Sequence, residues 1–223
     1  MGKIEKSAGS IAVIGGSDGP TSVFLARGQE KKTWKQKVQK FLYEKRKKRV
    51  IRGIKPGTHT MQEVVKLLKE NYGFTDVPQE EWEYIENHKN MRVSSIFQFA
   101  PELLGEYAAL PELKSNDEEG LREFQAQWEI RQQKAMEIPN EVFDIELYLL
   151  EKQDSKVRMS FEIEARFGHI GGGFNCTGKN KGKQRKFARL FRKIYSYYGV
   201  TEDDIAGNTK RYQELVRVLA MRH

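Results

Sequence analysis

"FDIELYLLEKQDSKVRMSFEIEARF", residues 143–167, alternates apolar and polar residues with a period of two in two successive segments. Successive side chains of a β-strand point to opposite faces, so this period predicts two strands. The apolar residues of each strand share one face: Ile145, Leu147 and Leu149 in the first, Met159, Phe161 and Ile163 in the second. A two-residue loop would set these apolar residues opposite charged ones. The pattern therefore predicts a hairpin with an odd loop, three residues being the expected length.

The flanking sequence predicts a third strand and several helices. "GHIGGGFNC", residues 168–176, extends the hairpin with a glycine-rich strand. Thr60 and Glu63 form a capping box before an apolar stripe, and Gly73 ends that helix. Ser115 and Glu118 predict a second helix start, and Thr201 and Asp204 a third. Two apolar stripes with helical spacing follow the strands: Phe187, Leu190, Phe191, Ile194, Tyr195 and Tyr198, then Tyr212, Leu215, Val216 and Leu219.

Together these elements predict an α+β fold, in which a helical N-terminal region is followed by a small antiparallel sheet of about three strands packed with C-terminal helices. Composition divides the chain into three segments, namely 1–28, 29–140 and 141–223. The first has a short apolar run at residues 11–14, the glycines Gly15 and Gly16, and Pro20 before a second apolar run. We expect a strand, a tight turn and a short helix there.

The motif in this first segment is "VIGGSDGPTSVF", Val13 to Phe24. It resembles the "IIGGADGPTAIY" signature of the beta subunit of sodium-ion-translocating decarboxylases, with Ser17 in place of the usual alanine. In that membrane family the aspartate is implicated in sodium coupling, and the resemblance assigns its position to Asp18. The whole chain also resembles a group of small soluble bacterial proteins that carry this signature, which implies no particular activity.

The same turn is a candidate ligand site on its own chemistry. Its glycines free the backbone, and amide groups at the start of a helix can form a nest for a phosphate or another anion. An aspartate at the same place can instead cap the helix and repel an anion, so a purely structural turn is the alternative. The candidate ligand-binding residues are Gly15, Gly16, Ser17, Asp18, Gly19 and Thr21.

Composition limits the function classes. The chain has 223 residues, a net charge of +8 and a pI near 9.4. It has no run of about 18 to 20 apolar residues, so we expect no membrane span and no sodium transport. The start "MGKIEKSAGS" lacks the apolar core of a secretory signal, and Cys176 is the only cysteine. Both observations predict a cytoplasmic protein.

Positive charge concentrates in two segments, residues 31–52 and residues 177–193. The first predicts a helix whose apolar residues Trp34, Val38, Phe41 and Leu42 share one face, so we expect its start to dock and its end to be basic. Clusters of Lys and Arg attract phosphates and gain free energy from counterion release. The sequence therefore predicts a polyanion interface, with RNA as the expected partner. Its candidate residues are Lys45, Arg46, Lys48, Arg49, Lys181, Lys183, Arg185, Lys186, Arg189 and Lys193.

Several other hypotheses stay open at this stage. Four carboxylates of the hairpin, Asp144, Glu146, Glu162 and Glu164, are candidates for cation binding or acid–base catalysis, although a half-exposed sheet gives the same pattern. His169 or Cys176 beside the glycine-rich bend is a candidate catalytic group. No spacing identifies a metal site, a cofactor or a nucleophile motif. The main expectation is a non-enzymatic RNA-binding protein; the alternatives are a small-ligand protein or enzyme, and a subunit that docks or self-associates through its N-terminal strand.

Overall fold

The structure is a computed structural model that describes residues 10–13, 23–26, 33–115, 117–154, 156–177 and 181–221. The strands are β1 (Ser10–Val13), β2 (Val23–Ala26), β3 (Gly57–Thr58), β4 (Thr75–Asp76), β5 (Leu147–Asp154), β6 (Val157–Glu164), β7 (His169–Cys176) and β8 (Gly199–Val200). The helices are α1 (Trp34–Gly53), α2 (Met61–Tyr72), α3 (Trp82–Phe99), α4 (Glu118–Glu137), α5 (Lys181–Tyr198), α6 (Glu202–Ala206) and α7 (Lys210–Ala220), and a 3₁₀ segment spans Pro101–Tyr107. The fold is α+β, as predicted.

The chain divides into two compact units. The helical unit contains α3, the 3₁₀ segment and α4, and includes the N-terminal strands β1 and β2. The sheet unit combines residues 33–78 with residues 146–221, so α1 and α2 belong with the strands although they precede them by many residues. The predicted division at residues 28 and 140 follows composition and stays a prediction.

The sheet unit is built on a four-stranded antiparallel sheet with the order β4-β5-β6-β7. Its three long strands are the predicted ones, and the two-residue edge strand β4 is additional. Helices α2, α5 and α7 cover one face, where an apolar core surrounds Phe161. Phe161 is fully buried and contacts the rings of Phe74, Phe187 and Phe191 at centroid distances of 5.3, 5.6 and 5.8 Å.

The register of the hairpin differs from the prediction. Leu147 pairs with Glu164 and Asp154 with Val157, so only two residues separate β5 from β6, and the predicted odd loop is wrong. Leu147 and Leu149 consequently share a face with Glu162 and Glu164, whereas Leu150 lies with Phe161 and Ile163 on the helix-covered face. The prediction failed because it assumed one apolar face. In the structure Leu147 and Leu149 are buried on one face and Leu150 on the other.

Two local predictions about helices are also wrong. Val23–Ala26 forms a strand that pairs with Ser10–Val13, where a helix after Pro20 was expected. Its sequence, Val-Phe-Leu-Ala, begins with β-formers, and antiparallel pairing with β1 satisfies the backbone groups along one of its edges. The helix α4 is capped by Asp117, whose Oδ1 accepts the Gly120 N–H at 2.8 Å, and not by Ser115. An aspartate three residues before an amide forms the same cap as the predicted serine would.

Candidate nucleic-acid interface

Helix α5 separates its apolar and basic residues onto different faces. Of the predicted apolar stripe, Phe187, Ile194 and Tyr195 are buried in the core, and Leu190, Phe191 and Tyr198 pack against it partly buried. The exposed residues include five of the predicted cations: Lys181, Arg185, Lys186, Arg189 and Lys193. Four-residue spacing sets Arg185, Arg189 and Lys193 on one ridge, with about 6 Å of axial rise between neighbours. The result is a continuous cationic ridge on the solvent side of the helix.

The charge of α5 is not balanced within the helix. Its 18 residues contain seven Lys and Arg side chains and no Asp or Glu. Among the described residues, its only ion pair joins Lys183 Nζ to Asp154 Oδ2 at 2.7 Å. The first turn therefore places Lys181 and Lys183 at the positive end of the helix dipole, where an anion would be favoured. A phosphate bound there would compensate Lys181, since Lys183 is already paired with Asp154.

Helix α1 is the second basic element. Thr33 and Gln36 form a reciprocal capping box at its start, and the helix lies along α7. None of its residues is buried. Its partly covered residues are Val38, Tyr43, Arg46, Lys47 and Val50. The apolar start of the helix was expected to dock, but Trp34 and Phe41 are 78% and 67% exposed, so that expectation is wrong.

Of the four cations predicted in α1, three are exposed and one is partly covered. Lys45, Lys48 and Arg49 are exposed, and Arg46 is half-buried on the side of Tyr43 and Val50. No ion pair involves this helix in the part of the chain that the structure describes. Together α1 and α5 hold 16 of the 39 Lys and Arg residues and one of the 31 Asp and Glu residues. The other residues then carry 23 basic and 30 acidic side chains, so the whole positive excess lies in these two helices of the sheet unit.

Three of the four candidate carboxylates, Glu164, Glu146 and Asp144, make structural contacts. Glu164 is 1% exposed, and its carboxylate accepts the backbone N–H groups of Glu146, Arg166 and Phe167 at 3.3, 2.9 and 2.7 Å. Glu146 Oε1 accepts the Tyr148 hydroxyl at 2.5 Å and the Gln62 amide at 3.2 Å. Within the helical unit, Asp144 Oδ1 lies 3.1 Å from His88 Nε2.

The two candidate catalytic residues, His169 and Cys176, lie far apart. His169 and Cys176 are the first and last residues of β7, about 23 Å apart along an extended strand. His59 stacks on the Tyr197 ring at 3.6 Å, and its Nδ1 lies 2.7 Å from the Tyr197 carbonyl oxygen. Across the described ranges, no three His, Cys, Asp or Glu side chains are placed to hold a metal ion.

Two buried arginines were missed by the sequence analysis. Arg131 is 2% exposed, donates to the carbonyls of Tyr107 and Ala108 at 2.9 and 3.1 Å, and lies 4.2 Å over the Phe97 ring. Arg92 is 5% exposed and donates to the carbonyls of Phe143 and Ile138. Burial lowers the pKa of each guanidinium. Both hold irregular backbone in place, and nothing in sequence separates such arginines from exposed ones.

The N-terminal ligand candidates Gly15, Gly16, Ser17, Asp18, Gly19 and Thr21 lie outside the described residues. The anion-nest hypothesis also used a helix through Val23–Leu25, and the structure has the strand β2 there. That segment therefore contributes no helix dipole to the turn.

No family model, no curated protein and no solved structure matches this chain. Within the described residues, none of the helices combines the length and the apolar composition that crossing a membrane requires.

Proposed function

We propose that the sheet unit binds RNA through the phosphate backbone, with the outward faces of α5 and α1 as the contact surface. The observation that carries the proposal is the charge distribution: two helices hold the entire positive excess, and their cations are largely exposed. Lys and Arg side chains that face solvent without carboxylate partners keep their full attraction for phosphates. Sequence-independent binding by such surfaces has a Kd of about 10⁻⁴ to 10⁻⁶ M at physiological salt, as known for DNA.

Fluorescence anisotropy of a labelled 20-nucleotide RNA at low salt tests the proposal. The variant Arg185→Glu/Arg189→Glu reverses two neighbouring charges of the α5 ridge. We expect its Kd to rise at least 10-fold, since two attractive phosphate contacts become repulsive.

The matched control is Lys89→Glu/Lys114→Glu, which makes the same change in net charge at two exposed positions of the helical unit. We expect the control to bind within about 2-fold of the unmodified protein. An equal loss in both variants would show that net charge alone matters. No measurable binding by the unmodified protein at low salt would refute the proposal.

A second candidate function is supported by the N-terminal strands. β1 and β2 form a sheet of two strands, so each has one edge without a strand partner among the described residues. Such edges can accept a strand from a partner or from a second copy. Deletion of residues 1–28 should then change the mass measured by light scattering. An unchanged mass would exclude self-association through this segment.

A further inference from the structure

Helix α1 presents two large aromatic side chains to solvent on its outward face. Trp34 is 78% exposed and Phe41 67% exposed. They are seven residues apart, which in an α-helix is nearly two full turns and about 10 Å of axial rise. At 100° per residue both rings point away from the side that carries Tyr43 and Val50, which are partly covered. Only Val38 is partly covered on this outward side, so the two rings lie on the exposed side of the helix.

The same outward face continues with cations. Lys45, Lys48 and Arg52 follow Phe41 within about 50° of the same direction, and all three are exposed. Two aromatic rings and then three positive charges therefore follow one another along one line of the helix. This is the combination found where proteins hold single-stranded nucleic acid: cations follow the phosphates, and rings stack on bases.

The arrangement does not suit a membrane surface. A helix that lies in a bilayer interface has one apolar face and one polar face, with its cations on the polar face. In α1 apolar residues lie on opposite sides, since Tyr43 and Val50 are on the partly covered side and Trp34 and Phe41 face solvent. Cations share the outward side with the aromatic rings. No face of the helix is apolar enough to insert.

From this combination of exposed rings and cations on one side we infer that α1 binds unpaired bases, so that the RNA partner is single-stranded. The inference rests on the proposed RNA-binding function and specifies its substrate. Trp34 and Phe41 each stack on one base, while Lys45, Lys48 and Arg52 contact phosphates of the same strand. In an A-form duplex the bases are stacked inside the helix, and their faces are closed to side chains. A duplex can therefore use the cations but not the rings.

The test compares a 20-nucleotide oligouridine with a 20-base-pair RNA duplex, using Trp34→Ala and Phe41→Ala. Both side chains are exposed, so neither change removes core packing, and far-ultraviolet circular dichroism verifies the fold. Each variant should weaken oligouridine binding by about 5- to 150-fold, the range measured for base-stacking residues. Duplex binding should change by less than about 2-fold. Oligouridine should also quench tryptophan fluorescence, and Trp34→Phe should abolish most of that quenching.

Trp82→Ala is the matched control, because Trp82 is 76% exposed but lies on α3 in the helical unit. It should bind both RNAs like the unmodified protein. If Trp34→Ala and Phe41→Ala leave oligouridine binding unchanged while the unmodified protein binds both RNAs, the inference fails and the proposed function stands. Equal weakening for duplex and single strand also refutes it. If the unmodified protein binds neither RNA, both fail. Binding to phosphatidylserine vesicles is measured with the same variants. If Trp34→Ala and Phe41→Ala lose vesicle binding but keep RNA binding, the inference fails and the face belongs to membranes.

Discussion

At the scale of single residues, Gly172 is needed because a helix packs directly on its backbone. A Cβ atom at this position would lie 2.6 Å from Phe191 Cε2 and 3.2 Å from Phe187 Cζ, both on α5. We expect Gly172→Ala to lower the free energy of unfolding by about 1–3 kcal/mol, because the two rings must shift within a packed core. Urea denaturation followed by circular dichroism measures the change.

Gly182 on the same helix provides the contrast. A Cβ atom there would have nothing within 4 Å, and the residue is exposed. Gly182→Ala should raise the free energy of unfolding by up to about 1 kcal/mol through helix propensity. Equal effects of the two substitutions would contradict the packing of α5 on β7.

Arg131 gives a second prediction at this scale. Its guanidinium holds the carbonyls of Tyr107 and Ala108 at the end of the 3₁₀ segment, in a site that is 2% exposed. Arg131→Ala should cost about 3 kcal/mol of unfolding free energy, since it leaves a cavity and two carbonyls without their donors. Arg122→Ala on the same helix removes only an exposed ion pair with Glu118 and should cost less than about 0.5 kcal/mol. A cost for Arg131→Ala similar to that of Arg122→Ala would contradict this role.

At the scale of elements, the start of α6 depends on an ionised carboxylate. Burial raises the pKa of Asp204, but hydrogen bonds from the Thr201 N–H and from the Thr209 and Thr201 hydroxyls outweigh it, together with the Arg211 charge, so the pKa is lowered. A lowered pKa contributes stability that is present above about pH 4 and is lost as the pH falls through the folded-state value. We therefore expect the urea concentration at the midpoint of unfolding to decrease as the pH is lowered from 5 to 3.

Asp204→Asn should lower the midpoint at pH 7 and make its further fall below pH 5 smaller. Asp203→Asn removes the same charge from the adjacent exposed position and should leave the pH dependence close to that of the unmodified protein. If both substitutions change the pH dependence equally, the cap is not its source. The measurement is the urea midpoint at pH 7, 5, 4 and 3.

Local signals in the sequence predicted where helices start better than they predicted how the strands pair. The Thr60–Glu63 and Thr201–Asp204 boxes mark real helix starts, because a cap is made by residues three apart and needs no distant partner. The hairpin register depends on which faces of the sheet are covered: α2, α5 and α7 cover the face with Leu150, and Leu147 and Leu149 are buried on the other face. Residues 147–150, Leu-Tyr-Leu-Leu, place apolar side chains on both faces, so alternation alone could not fix the register.

The cations of the candidate interface could be predicted from local sequence, but the exposure of the residues around them could not. Charge runs are visible in sequence, and the cations of α5 were identified together with the apolar face opposite them. The exposure of Trp34 and Phe41 was not foreseen, because an apolar start of a helix normally packs against a core. Only the position of α1 beside α7 shows that its covered side is the one with Tyr43 and Val50.

At the scale of the whole molecule, charge is separated: α1 and α5 carry the positive excess and the remaining residues carry a net negative charge. If six exposed cations each neutralise one phosphate of a single strand, log Kobs should fall with log salt concentration with a slope of about −4. Arg185→Glu/Arg189→Glu should reduce the magnitude of that slope by about 1.4, because two phosphate contacts disappear. Anisotropy titrations from 50 to 300 mM KCl measure both slopes.

Trp34→Ala should behave differently in the same titrations. Stacking on a base releases no counterions, so this variant should weaken binding at every salt concentration and leave the slope unchanged. The two kinds of variant thus separate the cationic ridge of α5 from the aromatic face of α1. A slope near zero for the unmodified protein would mean that the charge of the two helices does not drive binding. A changed slope for Trp34→Ala would mean that the ring acts by positioning cations instead of stacking on bases.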